Sequence, residues 1–478
     1  MKITFGTGAI SAAQLADACK GTLLSGSDPN LTVCGLCTDS AEADADTAFV
    51  ALRGKRVDGH DFIPNALRAG CRCVICERPP KGVAAAILAK DGETALLHLA
   101  NDFRHRGTFR TVAVTGSVGK TTTKDMIAGV LSQTYRTFAT PGNRNSTVGM
   151  PLSMLEMPID TEWAVLEMGM NAFGEIERLS LAAEPDLAVI TNIGTAHIGM
   201  LGSRENILRA KLEIFSGLQA NGIWIRNADD EWLAGTDGKN FRTISVSAHG
   251  GKADFSAKNI RVEPERTLFD LSRSGNVEKD LCIRASGAHN VYAALFAYAV
   301  GISAGVSPEE IRAGLLSYQP NGLRQTHTAI AGVTLIEDCY NASPESMTAA
   351  LDVLDMYCSS PDRRGIAVLG EMLELGERSD ELHRMVGARF AKGRADLLFT
   401  IGKGGDRIAE GALENGVSSE RVIENHDCED IGSTVDALCR TIRKGDVILI
   451  KASRAVAAER VGSALKNFLQ KEEGRNHA

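Results

Sequence analysis

No stretch of this chain approaches the roughly 18 uninterrupted apolar residues of a membrane-spanning helix. Its opening, Met1-Lys2-Ile3-Thr4-Phe5-Gly6, lacks the charged segment and apolar core of a secretory leader. A basic surplus is missing too: 52 Lys and Arg against 60 Asp and Glu leave a formal charge of −8, which argues against a general nucleic-acid binder. An acidic small molecule is still admissible, because a few local cations suffice for a phosphate. Aromatic residues are scarce at 5%, whereas the 48 glycines suit a protein with many tight strand-to-helix turns. These absences point to the cytoplasm, where eleven cysteines stay reduced.

Two cysteine pairs, Cys34-x2-Cys37 and Cys73-x2-Cys76, have the outline of a zinc site. The second pair lies inside Cys71-Arg72-Cys73-Val74-Ile75-Cys76, which reads as a short buried strand, and cysteine there behaves as a small hydrophobe. The gap between the pairs is also longer than a zinc ribbon usually allows, so no metal is assigned to them.

At 478 residues the chain exceeds one hydrophobic core, and its length suggests about three domains. Residues 1–107 carry a helical pattern at Ser11–Cys19, short strands at Thr47–Leu52 and Cys73–Cys76, and a polar, basic stretch from Asn101 to Gly107 that reads as a linker. Residues 108–320 alternate strand and helix, with strands at Thr111–Thr115, Trp163–Glu167, Leu187–Asn192 and Gly222–Arg226. That alternation implies right-handed βαβ units on a parallel sheet. A β-rich insertion near Asp254–Leu271 interrupts it, a helix near Asn290–Val300 closes it, and turn chemistry from Tyr318 to Gly322 marks the next boundary. Residues 321–478 alternate again, with strands at Val333–Glu337, Gly365–Leu369, Leu397–Ile401 and Val447–Lys451. The expected fold is α/β in three domains: a smaller N-terminal α/β domain, a central P-loop ATPase-like parallel sheet, and a C-terminal Rossmann-like domain.

The strongest chemical signal is the loop Gly116-Ser117-Val118-Gly119-Lys120-Thr121, set between an apolar strand and a helix over Thr121–Leu131. Its glycines allow close backbone approach, and its N–H groups and the helix N-terminus favour phosphate. Lys120 would reach the β/γ-phosphates of ATP, and the Thr121 hydroxyl would ligate Mg²⁺. Val114 stands where the first glycine of the longer motif belongs, leaving a G-x2-G-K-T form.

Glu167 and His197 fall at the carboxyl ends of predicted parallel strands, the edge where open α/β sheets bind ligands. Each reads equally as a metal ligand or an ordinary strand-end residue. In a predicted helix over Arg204–Leu218, Ile207, Lys211, Phe215 and Leu218 share one stripe. A lysine there either snorkels to water or is desolvated and neutral. A neutral amine can take up CO₂ to become a carbamate, an oxygen ligand for Mg²⁺.

Together, Thr115–Thr122 (with Thr122 following the loop), Glu167, His197 and Lys211 resemble the ATP-dependent Mur ligases, which add amino acids or dipeptides to a cell-wall precursor. The resemblance covers nearly the whole chain. Phe49–Gly54 and Asp58–Phe62 look like the family's uridine-nucleotide-binding segments, Thr140–Asn145 and Gly149–Leu152 its muramoyl loop, and Gly287–Asn290 its adenine-side motif. Asp338–Pro344, Val368–Gly376 and Ser453–Ala455 with Glu459–Val461 resemble the branch that adds a dipeptide. The departures are Ala41 for an arginine, Ser146 for an asparagine, Cys339 for a serine and Ser343 for an asparagine.

The resemblance implies two Mg²⁺ ions, one held by Thr121 and Glu167, the other by His197 and carbamylated Lys211. It implies Asn290 beside the adenine, Arg324 on the ATP phosphates, Asp338 on the ribose, and substrate contacts from Ser40, Asp58, His60, Asn143, Asn145, Asn341 and Arg454. The implied substrates are UDP-N-acetylmuramoyl-tripeptide and D-alanyl-D-alanine, joined by a monomer through an acyl phosphate. A single-amino-acid ligase of the same family, a folylpolyglutamate synthase and a P-loop kinase without ligation are the competing readings.

Overall fold

The computed structural model describes residues 1–476 apart from Lys55, Lys239, Asn240 and Asn321, so Asn321 of the predicted boundary lies outside the described residues. The architecture is α/β, built on three large sheets. The N-terminal sheet runs Lys2–Thr4, Gly35–Cys37, Thr47–Val50, Cys73–Cys76, Ala85–Leu88, Thr22–Leu23, parallel inside and antiparallel at both edges. Cys73 and Cys76 are fully buried in it and Cys34 is exposed, so the zinc outline does not converge.

The central sheet has nine strands. The first six run parallel in the order Thr137–Ala139, Trp163–Glu167, Arg110–Thr115, Leu187–Ile190, Ile223–Asn227, Arg242–Ser247. The expected insertion corrects to an extension. Phe255–Glu263 pairs parallel with the sixth strand, and Arg266–Arg273 and Asn276–Ile283 continue the same sheet as an antiparallel meander. Alternating apolar residues gave its β character away, but nothing local says which edge it joins. The helix Asn290–Ala304, buried on nearly every side, packs under the helix Lys120–Leu131.

The C-terminal sheet runs Thr326–Ile330, Val333–Glu337, Val447–Lys451, Gly365–Gly370, Leu397–Ile401, Val422–Asn425, parallel except for its first pair. Among the described residues, no helix is long and apolar enough to cross a membrane.

The predicted linker is a second correction. Asn101–Arg106 forms the end of the helix Gly92–Arg106, whose Leu96, Leu99, Ala100 and Phe103 share one buried face at i, i+3, i+4 and i+7. Its polar face made it resemble a linker. That face is used: Asn101 donates to the Leu181 carbonyl (3.1 Å), and Arg104 to those of Ala183 (3.1 Å) and Phe109 (3.0 Å). The N-terminal sheet is thereby docked on the central one by a helix.

Candidate active site

Strand register assembles the site. Glu167 pairs with Val114 and Ile190 with Thr115, so the phosphate loop emerges between the ends of its two neighbouring strands. Gly119 caps the helix Lys120–Leu131 at φ +79°, in the left-handed region. At Gly116 a Cβ would overlap the Thr191 hydroxyl. Overpacking of this kind costs about 1–3 kcal/mol. Gly116→Ala is therefore expected to weaken ATP binding by roughly tenfold or more in a calorimetric titration; an unchanged affinity would show that the loop does not need its glycine.

The loop is held by residues that sequence reading missed. Asn192 accepts from the Val118 N–H (3.0 Å) and donates to the Val118 carbonyl (3.1 Å), to which the Thr191 hydroxyl also donates (2.7 Å). Ser117 Oγ accepts from the Gly194 N–H (2.9 Å). The available signal was a polar pair directly following the apolar strand Leu187–Ile190. Lys120 folds back so that Nζ donates to the carbonyls of Gly116 (2.9 Å) and Ser117 (3.3 Å). Burial lowers its pKa; Glu167 opposes that effect and the charge of Arg324 adds to it.

Glu167 is buried, with both carboxylate oxygens engaged: Oε2 by the Thr121 hydroxyl (2.6 Å) and Oε1 by the Asn145 amide (2.7 Å). Thr140 Oγ1 accepts the Glu167 N–H (3.1 Å), and buried Lys124 donates to the Thr140 carbonyl (2.7 Å). Thus the loop bearing Asn143 and Asn145 is tied to the phosphate-loop helix. Asn143 is exposed at its tip.

The helix around Lys211 ends at Leu212 and tightens into a 3₁₀ turn at Glu213–Ser216, shorter than the expected Arg204–Leu218. Ile207, Lys211, Phe215 and Leu218 are nevertheless all buried. At 1% exposure Lys211 does not snorkel. Burial first, and the Lys120 charge second, push its pKa well below the usual lysine range. His197 adopts φ +66°, a conformation costing a non-glycine residue about 1–2 kcal/mol. Its Nδ1 lies 2.6 Å from Glu374 Oε2 but out of line for a hydrogen bond.

The C-terminal unit completes the cleft. Arg324 stacks its guanidinium on Tyr340, 3.8 Å from the ring centroid, close enough to the phosphate loop to influence Lys120. Asn290 donates to the Ser286 carbonyl (2.8 Å) and across the boundary to Gln325 (3.2 Å). Asp338 accepts from Lys451 (2.6 Å), which also donates to the Asn341 carbonyl (3.0 Å). Lys451 was missed because the end of the strand Val447–Lys451 carries no motif; only its burial singles it out. Thr122 bonds Tyr318, whose phenol burial pushes up to about 12.

The remaining residues of the expected set lie farther out. His60 is buried: the Glu77 N–H donates to Nε2 (2.9 Å), leaving the proton on Nδ1, 2.6 Å from Asp58 Oδ1. Both ring nitrogens are thus engaged within the protein. Asp58 also pairs with Arg78 (2.9 Å). Ser40 is half-buried, Asn341 is exposed, and exposed Arg454 pairs with Glu459 (2.8 Å). Two departures from the family pattern keep their neighbours' bonds. Ser343 caps the helix Pro344–Tyr357, and Ser146 Oγ accepts the Gly149 N–H (3.1 Å).

The donor chemistry fits a divalent cation. Thr121 and Glu167 offer hard oxygens beside a phosphate loop. Near His197, its Nδ1 and Glu345 Oε2 are buried polar atoms without a hydrogen-bond partner among the described residues.

Comparison with known proteins identifies the family. Models of the Mur ligase middle domain, the Mur ligase glutamate ligase domain and the Mur ligase family catalytic domain match residues 114–301, 324–454 and 32–100. A UDP-N-acetylmuramoyl-tripeptide–D-alanyl-D-alanine ligase of Bacillus subtilis is 39% identical over 452 residues, covering 94% of this chain and 96% of its own. A crystal structure of MurF from Acinetobacter baumannii matches with a TM-score of 0.87 at 31% identity, covering 96% of this chain and 98% of that one. MurF from Thermotoga maritima in complex with ADP gives 0.81 at 30% identity, over 91% and 98%.

Proposed function

The chain belongs to the Mur ligase family and is an ATP-dependent ligase; from that premise we propose that it joins D-alanyl-D-alanine to UDP-N-acetylmuramoyl-tripeptide, giving the pentapeptide precursor of peptidoglycan. The observation that carries this reading is the match over nearly the full length of both chains to relatives bearing that activity in their name. We place the reaction in the cytoplasm and assign it to a monomer.

The tripeptide carboxylate attacks the γ-phosphorus of ATP and releases ADP, leaving an acyl phosphate. The amine of the dipeptide then adds to the acyl carbon, and phosphate departs as the amide forms. The first step brings two anions together, and this chain's cations make that possible. Lys120 and the N-terminus of its helix act from below, and Arg324 faces them from the C-terminal unit. Asn290 and Asp338 take the adenine and ribose ends. Asn143 and Asn145 lie on the side of the muramoyl substrate, Ser40 and Asp58 near its uridine end, and Asn341 and Arg454 toward the incoming dipeptide.

Thr121 and Glu167 would hold one Mg²⁺ and His197 with Lys211 a second, supplying positive charge to offset that of the phosphates. The neutral Lys211 amine is suited to add CO₂ and lose a proton, and the resulting carbamate would offer an oxygen to that second ion. Docking of the C-terminal unit over the loop excludes water, which would otherwise hydrolyse the acyl phosphate.

Phosphate release from ATP, measured with UDP-N-acetylmuramoyl-tripeptide, tests the assignment. It is expected to depend on D-alanyl-D-alanine and not on single amino acids. Stimulation by a single amino acid would identify a different branch of the family, and release independent of any amine would favour a kinase or hydrolase.

A further inference from the structure

The loop that carries His197 is gripped from the C-terminal unit at two points. Glu345, in the first turn of the helix Pro344–Tyr357, accepts at Oε1 from the Thr195 backbone N–H (2.7 Å) and the Thr195 hydroxyl (2.9 Å). The Glu374 carbonyl accepts from the Gly199 N–H (2.9 Å), and its carboxylate lies against His197 Nδ1. Thr195 and Gly199 bracket His197, so the strained residue sits between the two contacts.

The segment that presents Glu374 is itself fixed. The fully buried His383 accepts the Met372 N–H at Nε2 (2.8 Å), and the proton this leaves on Nδ1 goes to the Ser379 carbonyl (2.7 Å). Ser453 accepts the Leu373 N–H (2.9 Å) at its hydroxyl and donates its own N–H to the Glu371 carbonyl (3.0 Å). Glu374 also has a positive φ, +65°. Two residues in rare backbone conformations thus meet across the boundary between units, where the surrounding structure must hold both.

The Glu345 Oε2 is buried without a hydrogen-bond partner among the described residues. Both carboxylates come from the unit that also supplies Arg324 and Asp338, so one docking movement delivers the nucleotide contacts and the grip on His197.

We infer that Glu345 and Glu374 are positioning residues, which hold the His197 loop in its working pose only while the C-terminal unit is seated. This inference rests on the ligase reading above. The bonds at Thr195 and Gly199 fix the backbone on either side of His197, and with it the direction in which the ring points, the kind of outer support that metal-facing histidines depend on.

The test is a double-mutant cycle across the boundary, Thr195→Ala with Glu345→Ala, accompanied by Glu374→Gln. Each single change is expected to lower kcat by roughly 10–100-fold. The double variant should be no worse than Glu345→Ala alone, because that change already removes the bond to the Thr195 hydroxyl together with the one to its backbone N–H. Glu345→Gln, which keeps an acceptor for Thr195, should recover most of the activity. KM for the UDP-linked substrate should stay unchanged.

Mn²⁺ binding to the ADP complex, followed by electron paramagnetic resonance, should weaken over the same roughly 10–100-fold range at an unchanged melting temperature. This readout needs neither acceptor nor dipeptide. If the wild type fails to ligate, the ligase reading falls while the Mn²⁺ titration still decides the grip. Wild-type Mn²⁺ affinity in the variants, or additive effects in the cycle, overturns it. Glu374→Gln, on a half-exposed side chain, keeps the test open should the Thr195 or Glu345 changes unfold the protein.

Discussion

Lys120→Ala should lower ATP-dependent ligation by roughly 10²–10³-fold, the range seen when one preorganised electrostatic contact is removed from a transition state, with little change in melting temperature. The ammonium sits at the mouth of the loop between the Gly116 and Ser117 carbonyls, where it meets the helix N-terminus. Charge transferred to the β/γ-bridge oxygen develops in front of both. Arg324 cannot take over, since its guanidinium is stacked on Tyr340 in another unit. Lys120→Arg should fail as well, because two converging carbonyls cradle a compact ammonium and not a planar fork. The measurement is ADP production alongside a thermal melt. A folded Lys120→Ala protein that turns over ATP at the wild-type rate would remove the loop from the chemistry.

Lys211 should show the opposite pattern, with activity falling as stability rises. Lys211→Met is expected to reduce ligation by at least about 100-fold and yet to melt higher than the wild type at neutral pH, in buffer free of CO₂ and Mg²⁺. The sign follows from burial. The folded-state pKa is depressed, whereas the unfolded chain keeps an ordinary lysine that stays protonated to higher pH. Between those two values the unfolded state binds the extra proton, so wild-type stability increases with pH there; below both, the penalty is full and constant. Methionine has no such penalty, so the difference in melting temperature should narrow as the pH approaches the ordinary lysine range. In Lys211→Ala, a short carboxylic acid should restore part of the activity by supplying the missing oxygen. Wild-type ligation by either variant would rule out the carbamate, and a lower melting temperature for Lys211→Met would show that the buried amine stabilises the fold.

Much of this was legible because it is local. The glycines, Lys120 and Thr121 sit in one short segment between a strand and a helix, and their spacing alone specifies a phosphate loop. Lys211 was suspicious because it lay on an apolar stripe, and 1% exposure decides between its two readings. The stretch Asn101–Gly107 misled because composition reports polarity but not what the polar face meets. The contacts of His60 were hidden for a related reason: Asp58 lies in its own turn, but the Glu77 N–H on its other nitrogen comes from beyond a separate strand. Asn192, Lys451, Glu345 and Glu374 went unread, since each acts on a residue distant in sequence.

Periodicity and motif, then, determined by themselves that this is a three-part α/β chain with an ATP-type phosphate loop, because helix and strand patterns and tight turns are short-range properties. Only the tertiary structure decided that Glu167 is shared between Thr121 and Asn145, that Lys211 is fully enclosed, and that the His197 loop is held from the C-terminal unit. Those facts depend on sheet register and on how separate units dock. Both bring together residues tens to hundreds of positions apart, and no local pattern encodes such a meeting.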